Sequence, residues 1–142
     1  SDNPLIAHIS DLCMIDKLVV FENKQQKEIF NILSKILWPG PISFILPSSP
    51  DVPEIARGGL STIAIRMPDN PIALELINYT GCAIVAPSAN ISGKPSCTNA
   101  ESVEDDFGSG LKYILDGGET SIGIESFDVV LKIKKSKIYC FI

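Results

Sequence analysis

Short apolar runs alternate along this chain with longer amphipathic stretches. Residues 5–9 read as a first strand. Asn23 stands three residues before Gln26, the spacing of a capping box. It predicts a helix running to about Leu37, with Ile29, Phe30, Leu33, Ile36 and Leu37 on one face. Trp38-Pro39-Gly40-Pro41 ends that helix, because proline cannot continue it and glycine accepts left-handed angles. Residues 43–46 predict a short strand, and residues 47–61 a loop rich in Pro, Ser and Gly. Residues 62–66 alternate as a strand does. Asn70 caps the next helix with Pro71 at its first position, Ile72, Leu74, Leu76 and Ile77 form its apolar side, and Gly81 closes it. Residues 82–85 read as a buried strand in which Cys82 is a small core residue. Thr98 and Glu101 form a second capping box, with a helix to about Phe107. Residues 111–115 predict a strand. Gly117, Gly118 and Gly123 mark a flexible loop, and residues 129–133 and 137–141 predict a hairpin that closes the sheet.

Strands alternating with helices predict an α/β domain, and the terminal hairpin predicts that its sheet is mixed. With no repeat or linker in its 142 residues, the chain is expected to be one domain, 1–142. The 45% hydrophobic and 20% charged contents are those of a globular protein. A net charge of -5 argues for weak or no direct nucleic-acid binding, since neutralising phosphates takes clustered Lys and Arg. The one basic cluster, Lys132, Lys134, Lys135 and Lys137, reads as a solvated edge that discourages strand pairing. Cys13, Cys82, Cys97 and Cys140 have no C-x-x-C spacing, so no metal site is expected and a reduced, cytoplasmic setting is the simplest reading. No apolar run is long enough to span a membrane, and the polar start of the chain carries no signal-peptide pattern.

Chemistry concentrates in residues 86–96, Ala-Pro-Ser-Ala-Asn-Ile-Ser-Gly-Lys-Pro-Ser. Three hydroxyls, an amide, a glycine and a lysine follow directly on an apolar strand. Ser and Asn can donate hydrogen bonds to phosphate or carboxylate oxygens, and Gly93 lets the backbone come close to a ligand. Ligands on open α/β sheets gather beyond strand ends, where this segment lies. A polar surface turn is the alternative. Arg66 ends a predicted strand just before Met67-Pro68, and its planar fork suits a carboxylate; the alternative is a surface pair with an acid such as Asp69. His8 reads as a strand histidine with a structural hydrogen bond, Ser43 as a turn-stabilising hydroxyl, and Lys94 as solvated. Glu125 and Asp128 are either metal ligands or plain loop acids. No Ser-His-Asp arrangement or recurring carboxylate pair stands out, so no catalytic residue is assigned.

Pro87-Ser88-Ala89-Asn90-x-Ser92-Gly93 resembles the signature loop of the YrdC family, the threonylcarbamoyl-AMP synthases. Four further segments resemble that family in order. They are Asn3-Pro4-Leu5-Ile6-Ala7-His8, Trp38-Pro39-Gly40-Pro41-Ile42-Ser43, Thr62-Ile63-Ala64-Ile65-Arg66-Met67-Pro68, and Asp116-Gly117-Gly118 with Gly123-Ile124-Glu125-Ser126. The resemblance implies a YrdC-like twisted mixed sheet flanked by helices. It implies a nucleotidyltransferase joining L-threonine, bicarbonate and ATP, with Mg2+ carried in by the ATP. A downstream transferase complex would then modify adenosine 37 of tRNA. It implies ATP contacts at Thr62, Ser88, Asn90 and Ser96, and threonine contacts at Arg66 and Ser126.

The family's P-T-x-T-x-Y-G loop and K-x-R motif precede its N-P-L strand and are missing here, so the chain is expected to be a fragment or a shortened relative with weak or no activity alone. Phe127-Asp128 stands where the family has Thr and Val, and Tyr139-Cys140-Phe141 where it places an arginine. The alternatives are a YrdC-like domain of a carbamoyltransferase that uses carbamoyl phosphate, and a non-catalytic nucleotide- or RNA-binding relative.

Overall fold

A computed structural model describes residues 5–91 and 93–120 and the backbone of three strands within 127–139. The elements are β1 (Ile6–His8), α1 (Ile15–Leu18), α2 (Lys24–Leu37), β2 (Ile42–Pro47), β3 (Thr62–Arg66), α3 (Pro71–Thr80), β4 (Ile84–Ala86), α4 (Ala100–Phe107), β5 (Phe127–Val130), β6 (Lys132–Lys134) and β7 (Lys137–Tyr139). Five strands form one sheet in the order β4-β1-β3-β2-β5. β1/β3 and β2/β5 are parallel, while β1/β4 and β2/β3 are antiparallel. The sheet is therefore mixed, as expected, but its antiparallel pairs are β1/β4 and β2/β3 and not the terminal hairpin. The chain divides into two compact units at Ala86/Pro87: residues 87–120 on one side, and residues 5–86 with β5 to β7 on the other.

The larger unit owes its core to strand alternation. Residues opposite each other in register share a face. Ala7, Ile65 and Phe44 lie in one row, with Ile63 and Leu46 beside them, and all five are buried. Phe30 of α2 packs on Phe44 with ring centroids 5.3 Å apart, and Trp38 sits 5.0 Å from Phe44 and 5.7 Å from Phe30, all three pairs edge to face. Such pairs add about 0.5–1.5 kcal/mol each beyond the area they bury. The opposite face carries Thr62, Ala64 and Arg66 of β3, with His8 and Ser43 in register with Arg66.

Several helix boundaries follow the predicted caps. Asn23 Oδ1 accepts from Gln26 N at 2.9 Å, and Gln26 Oε1 accepts from Glu22 N at 2.8 Å. Asn70 Oδ1 accepts from Ala73 N at 3.0 Å, and Gly81 closes α3 at φ 67°. Of the expected apolar face of α2, Phe30 is buried and Ile29, Leu33 and Leu37 pack partly buried against the core, while Ile36 is exposed; Gln26 and Ser34 are buried beside Phe30. α3 buries only Ile77, and Ile72 and Leu76 are exposed.

Other expectations need correction. The cap of α4 is Asn99, whose Oδ1 accepts from Ser102 N at 2.8 Å; Thr98 instead offers its carbonyl to Thr120 N at 2.8 Å. β4 is an edge strand with Val85 exposed, so it is not buried, and Cys82 is exposed rather than core. Residues 111–115 form no strand: they lie in the smaller unit with no ladder partner among the described residues, and Leu111, Tyr113, Ile114 and Leu115 are exposed. The terminal strand splits. β5 joins the main sheet, while β6 pairs with β7 as a separate hairpin with Lys134 in register with Lys137. Residues 10–21, for which no element is predicted, form a short 3-10 turn and α1, which place Ile15 and Val19 in the core.

Candidate functional site

In the larger unit the site is built around Arg66. It is the last residue of β3, and its carbonyl accepts from Ile9 N at 2.9 Å. Its Nε donates to Gly40 O at 2.9 Å. Gly40 N in turn donates to Met67 O at 2.9 Å, so the Trp38–Pro41 turn is bonded to the end of β3 in both directions. The turn is held by Trp38, whose Nε1 donates to Ile42 O at 2.7 Å while its ring fills the aromatic core. A Cβ at position 40 would lie 2.7 Å from Leu37 O, so only glycine fits there without a backbone shift.

This arrangement leaves Arg66 half-buried and its fork oriented. Burial lowers the pKa of the guanidinium, because the charged form loses solvation. Arg66 forms no ion pair with Asp69 or any other acid among the described residues, and its terminal nitrogens donate to nothing there. A partly desolvated cation with two parallel donors free is suited to a carboxylate.

His8 stands opposite Arg66 across the parallel β1/β3 pair. Its pKa is lowered from 6.5, first by burial and then by the Arg66 charge, while backbone hydrogen bonds with Ile84 and Ile6 act the other way. Both burial and the neighbouring guanidinium thus favour the neutral form of the His8 imidazole. Ser43 completes the row on the other side of Arg66. Its hydroxyl is fully buried and has no hydrogen-bond partner among the described residues, so it does not stabilise the turn there as expected. Asp128 holds the next register position, on β5. Thr62 begins β3 on the Arg66 face, in register with Pro47.

The smaller unit contains the hydroxyl-rich loop. Asn90 N donates to Ser88 O at 3.0 Å, and Lys94 N to Ile91 O at 2.9 Å. Asn90 Nδ2 donates to both Ile91 O (3.1 Å) and Lys94 O (2.9 Å). Two carbonyl partners fix the amide's orientation, since only its NH2 can bond to them. Both donors are thus taken within the loop. What remains is Asn90 Oδ1, a buried acceptor with no partner among the described residues. Gly93 adopts φ 86°, a conformation that favours glycine. Ser88 is exposed and Ser96 partly so. Lys94 is not merely solvated: it pairs with Asp106 at 2.6 Å.

Ser126 lies outside the described residues, as does Glu125. Among the described residues no group of three or more His, Cys, Asp or Glu side chains is placed to hold a metal ion. Nor is any helix there long and apolar enough to cross a membrane.

The larger unit carries an oriented, half-buried arginine at the end of a strand in a mixed sheet, and the smaller unit carries a glycine-bearing, hydroxyl-rich loop. The Sua5/YciO/YrdC family model, described by the words telomere recombination, matches residues 1–139, and the chain belongs to that family. It is 48% identical over 126 residues to a threonylcarbamoyl-AMP synthase of Pyrococcus abyssi, covering 89% of this chain and 36% of the relative. A Bacillus subtilis protein of the same name is likewise 48% identical, over 128 residues, with the same coverage. The chain therefore spans little more than a third of the length of these relatives. The crystal structure of P. abyssi Sua5 complexed with L-threonine superposes with TM-score 0.83 at 48% identity, covering 92% of this chain and 37% of that one.

Proposed function

We propose that the protein carrying this chain is an L-threonylcarbamoyladenylate synthase. The amine of L-threonine and bicarbonate condense to a carbamate with loss of water; a carbamate oxygen attacks the α-phosphorus of ATP, the bond to the bridging oxygen of the β-phosphate breaks, and pyrophosphate leaves in line. Mg2+ enters with the ATP. A downstream transferase complex then moves the threonylcarbamoyl group to adenosine 37 of tRNA, in the cytoplasm. Such phosphoryl chemistry depends on positioning and on charge stabilisation rather than on a protein nucleophile.

The observation that carries this reading is the Arg66 guanidinium, half-buried, held through Nε by Gly40 and free at its terminal nitrogens among the described residues. It grips the carboxylate of threonine or of the carbamate. A relative 48% identical has been crystallised with L-threonine, which supports the same substrate here. Ser126 lines the threonine pocket. Thr62, Ser88 and Ser96 contact ATP. Asn90 shapes the loop and presents Oδ1 to a donor, such as a ribose hydroxyl or the adenine amino group, because a phosphate oxygen has no proton to give. With a net charge of -5, this chain leaves tRNA to the downstream complex.

Titration calorimetry with Mg-ATP tests the nucleotide site. Ser88→Ala is expected to weaken binding about tenfold, since a hydrogen bond to a charged group contributes about 1.5–3 kcal/mol. Unchanged affinity would remove Ser88 from the site.

A further inference from the structure

Asp106 occupies the last turn of α4, where a carboxylate opposes the helix dipole and gains nothing from the helix itself. Its side chain is nonetheless largely covered, at 13% exposure. Two side chains from the hydroxyl-rich loop and the residues just after it converge on the carboxylate. Lys94 Nζ donates to Oδ1 at 2.6 Å, and the Cys97 thiol to Oδ2 at 3.7 Å. The Ile91 N–H also faces the carboxylate and favours its ionised form. These three residues fall between Asn90 and Ser96 or directly after it. Asn90 bonds the same stretch from inside, through Ile91 O and Lys94 O. The loop is therefore held from two sides: internally by one amide, externally by one carboxylate.

We propose that Asp106 is a positioning residue that clasps the 88–96 loop in its ligand-binding shape. It touches no ligand. It acts through Lys94 and Cys97, which it holds while Ser88, Asn90 and Ser96 present their groups. The proposal deepens the nucleotide-site reading of that loop and rests on it for its effect on binding. Lys94, in this account, is held to α4 and is not a phosphate ligand. Cys97 stays a protonated donor, since burial, the Asp106 charge and the bond to Asp106 all raise its pKa.

The test uses the intact protein and two readouts. The first needs no nucleotide: hydrogen exchange of the Lys94 amide, which donates to Ile91 O. Asp106→Ala and Asp106→Asn are expected to speed that exchange about tenfold or more, a loss in keeping with one charged hydrogen bond. Asp106→Glu is expected to restore most of the protection, because its carboxylate can still reach Lys94. The second readout is Mg-ATP affinity, which is expected to fall about tenfold in Asp106→Ala and to recover in Asp106→Glu, with little change in melting temperature. Unchanged exchange in Asp106→Ala overturns the clasp. So does faster exchange with unchanged affinity in a protein whose Ser88→Ala variant has lost binding. If the unsubstituted protein binds no ATP, the nucleotide reading fails, and the exchange measurement alone decides the clasp.

Discussion

Arg66 Nε donates to the carbonyl of Gly40 at 2.9 Å, joining residues 26 apart in sequence. The bond gives the Trp-Pro-Gly-Pro turn a purpose beyond ending α2. One end of the turn is anchored by Trp38 in the aromatic core, and the other is bonded to Arg66 and Met67. Rotation of the guanidinium about its long side chain is limited before any ligand arrives. Limiting it in advance lowers the entropy lost when a carboxylate binds.

Gly40→Ala is expected to break this link. The new Cβ would meet the Leu37 carbonyl at 2.7 Å, so the turn must move. A cost of about 1–3 kcal/mol in stability is expected from forced crowding. Thermal denaturation measures that loss. Titration with L-threonine should show weakened binding in the fraction that remains folded.

Arg66→Lys keeps the charge and removes the fork. Lysine presents a point charge without the Nε donor that meets Gly40. Threonine affinity is expected to fall about tenfold or more, with melting temperature close to that of the parent. Equal affinity would show that charge alone suffices.

His8 makes stability depend on pH. Its folded-state pKa lies below the unfolded value of 6.5, so the unfolded chain binds the proton more readily. The stability this provides is present in full above pH 6.5 and is lost as pH falls through the lowered folded value. Melting temperature should therefore decline below pH 6.5. His8→Gln should flatten that decline, and an unaltered profile would count against the environment described for His8.

The aromatic cluster sets the stability of the larger unit. Phe30→Ala is expected to cost about 3–5 kcal/mol, because it empties the space between Phe21, Trp38 and Phe44. Asn70→Ala, which removes only the α3 cap, should cost about 1 kcal/mol. Chemical denaturation distinguishes the two.

Local signals were the legible ones. Asn23 and Asn70 announce their helices because a cap is a contact over three residues. The 62–66 strand is recognisable from alternation, and Arg66 from its place at the strand end. What depends on partners far along the chain was not legible. Residues 111–115 have the composition of a strand, but a strand needs a neighbour. Ile36 continues the apolar pattern of α2 yet is exposed, while the polar Gln26 and Ser34 are buried beside Phe30, Ile29, Leu33 and Leu37. In the site, the residue type of Asn90 suggests a donor to a ligand, but the loop bonds of its amide to Ile91 O and Lys94 O depend on the folded loop and not on residue type. His8 gained significance only through the β1/β3 register, which no local pattern encodes.

Pyrophosphate release by the intact protein tests the proposed reaction most directly. With Mg-ATP present, release should require both L-threonine and bicarbonate, and should collapse in Arg66→Lys. Valine should not replace threonine, because a site that pairs with the substrate hydroxyl leaves polar groups unpaired when it is missing. Release driven by carbamoyl phosphate, with threonine and bicarbonate without effect, would contradict the account and assign the site to carbamoyl transfer.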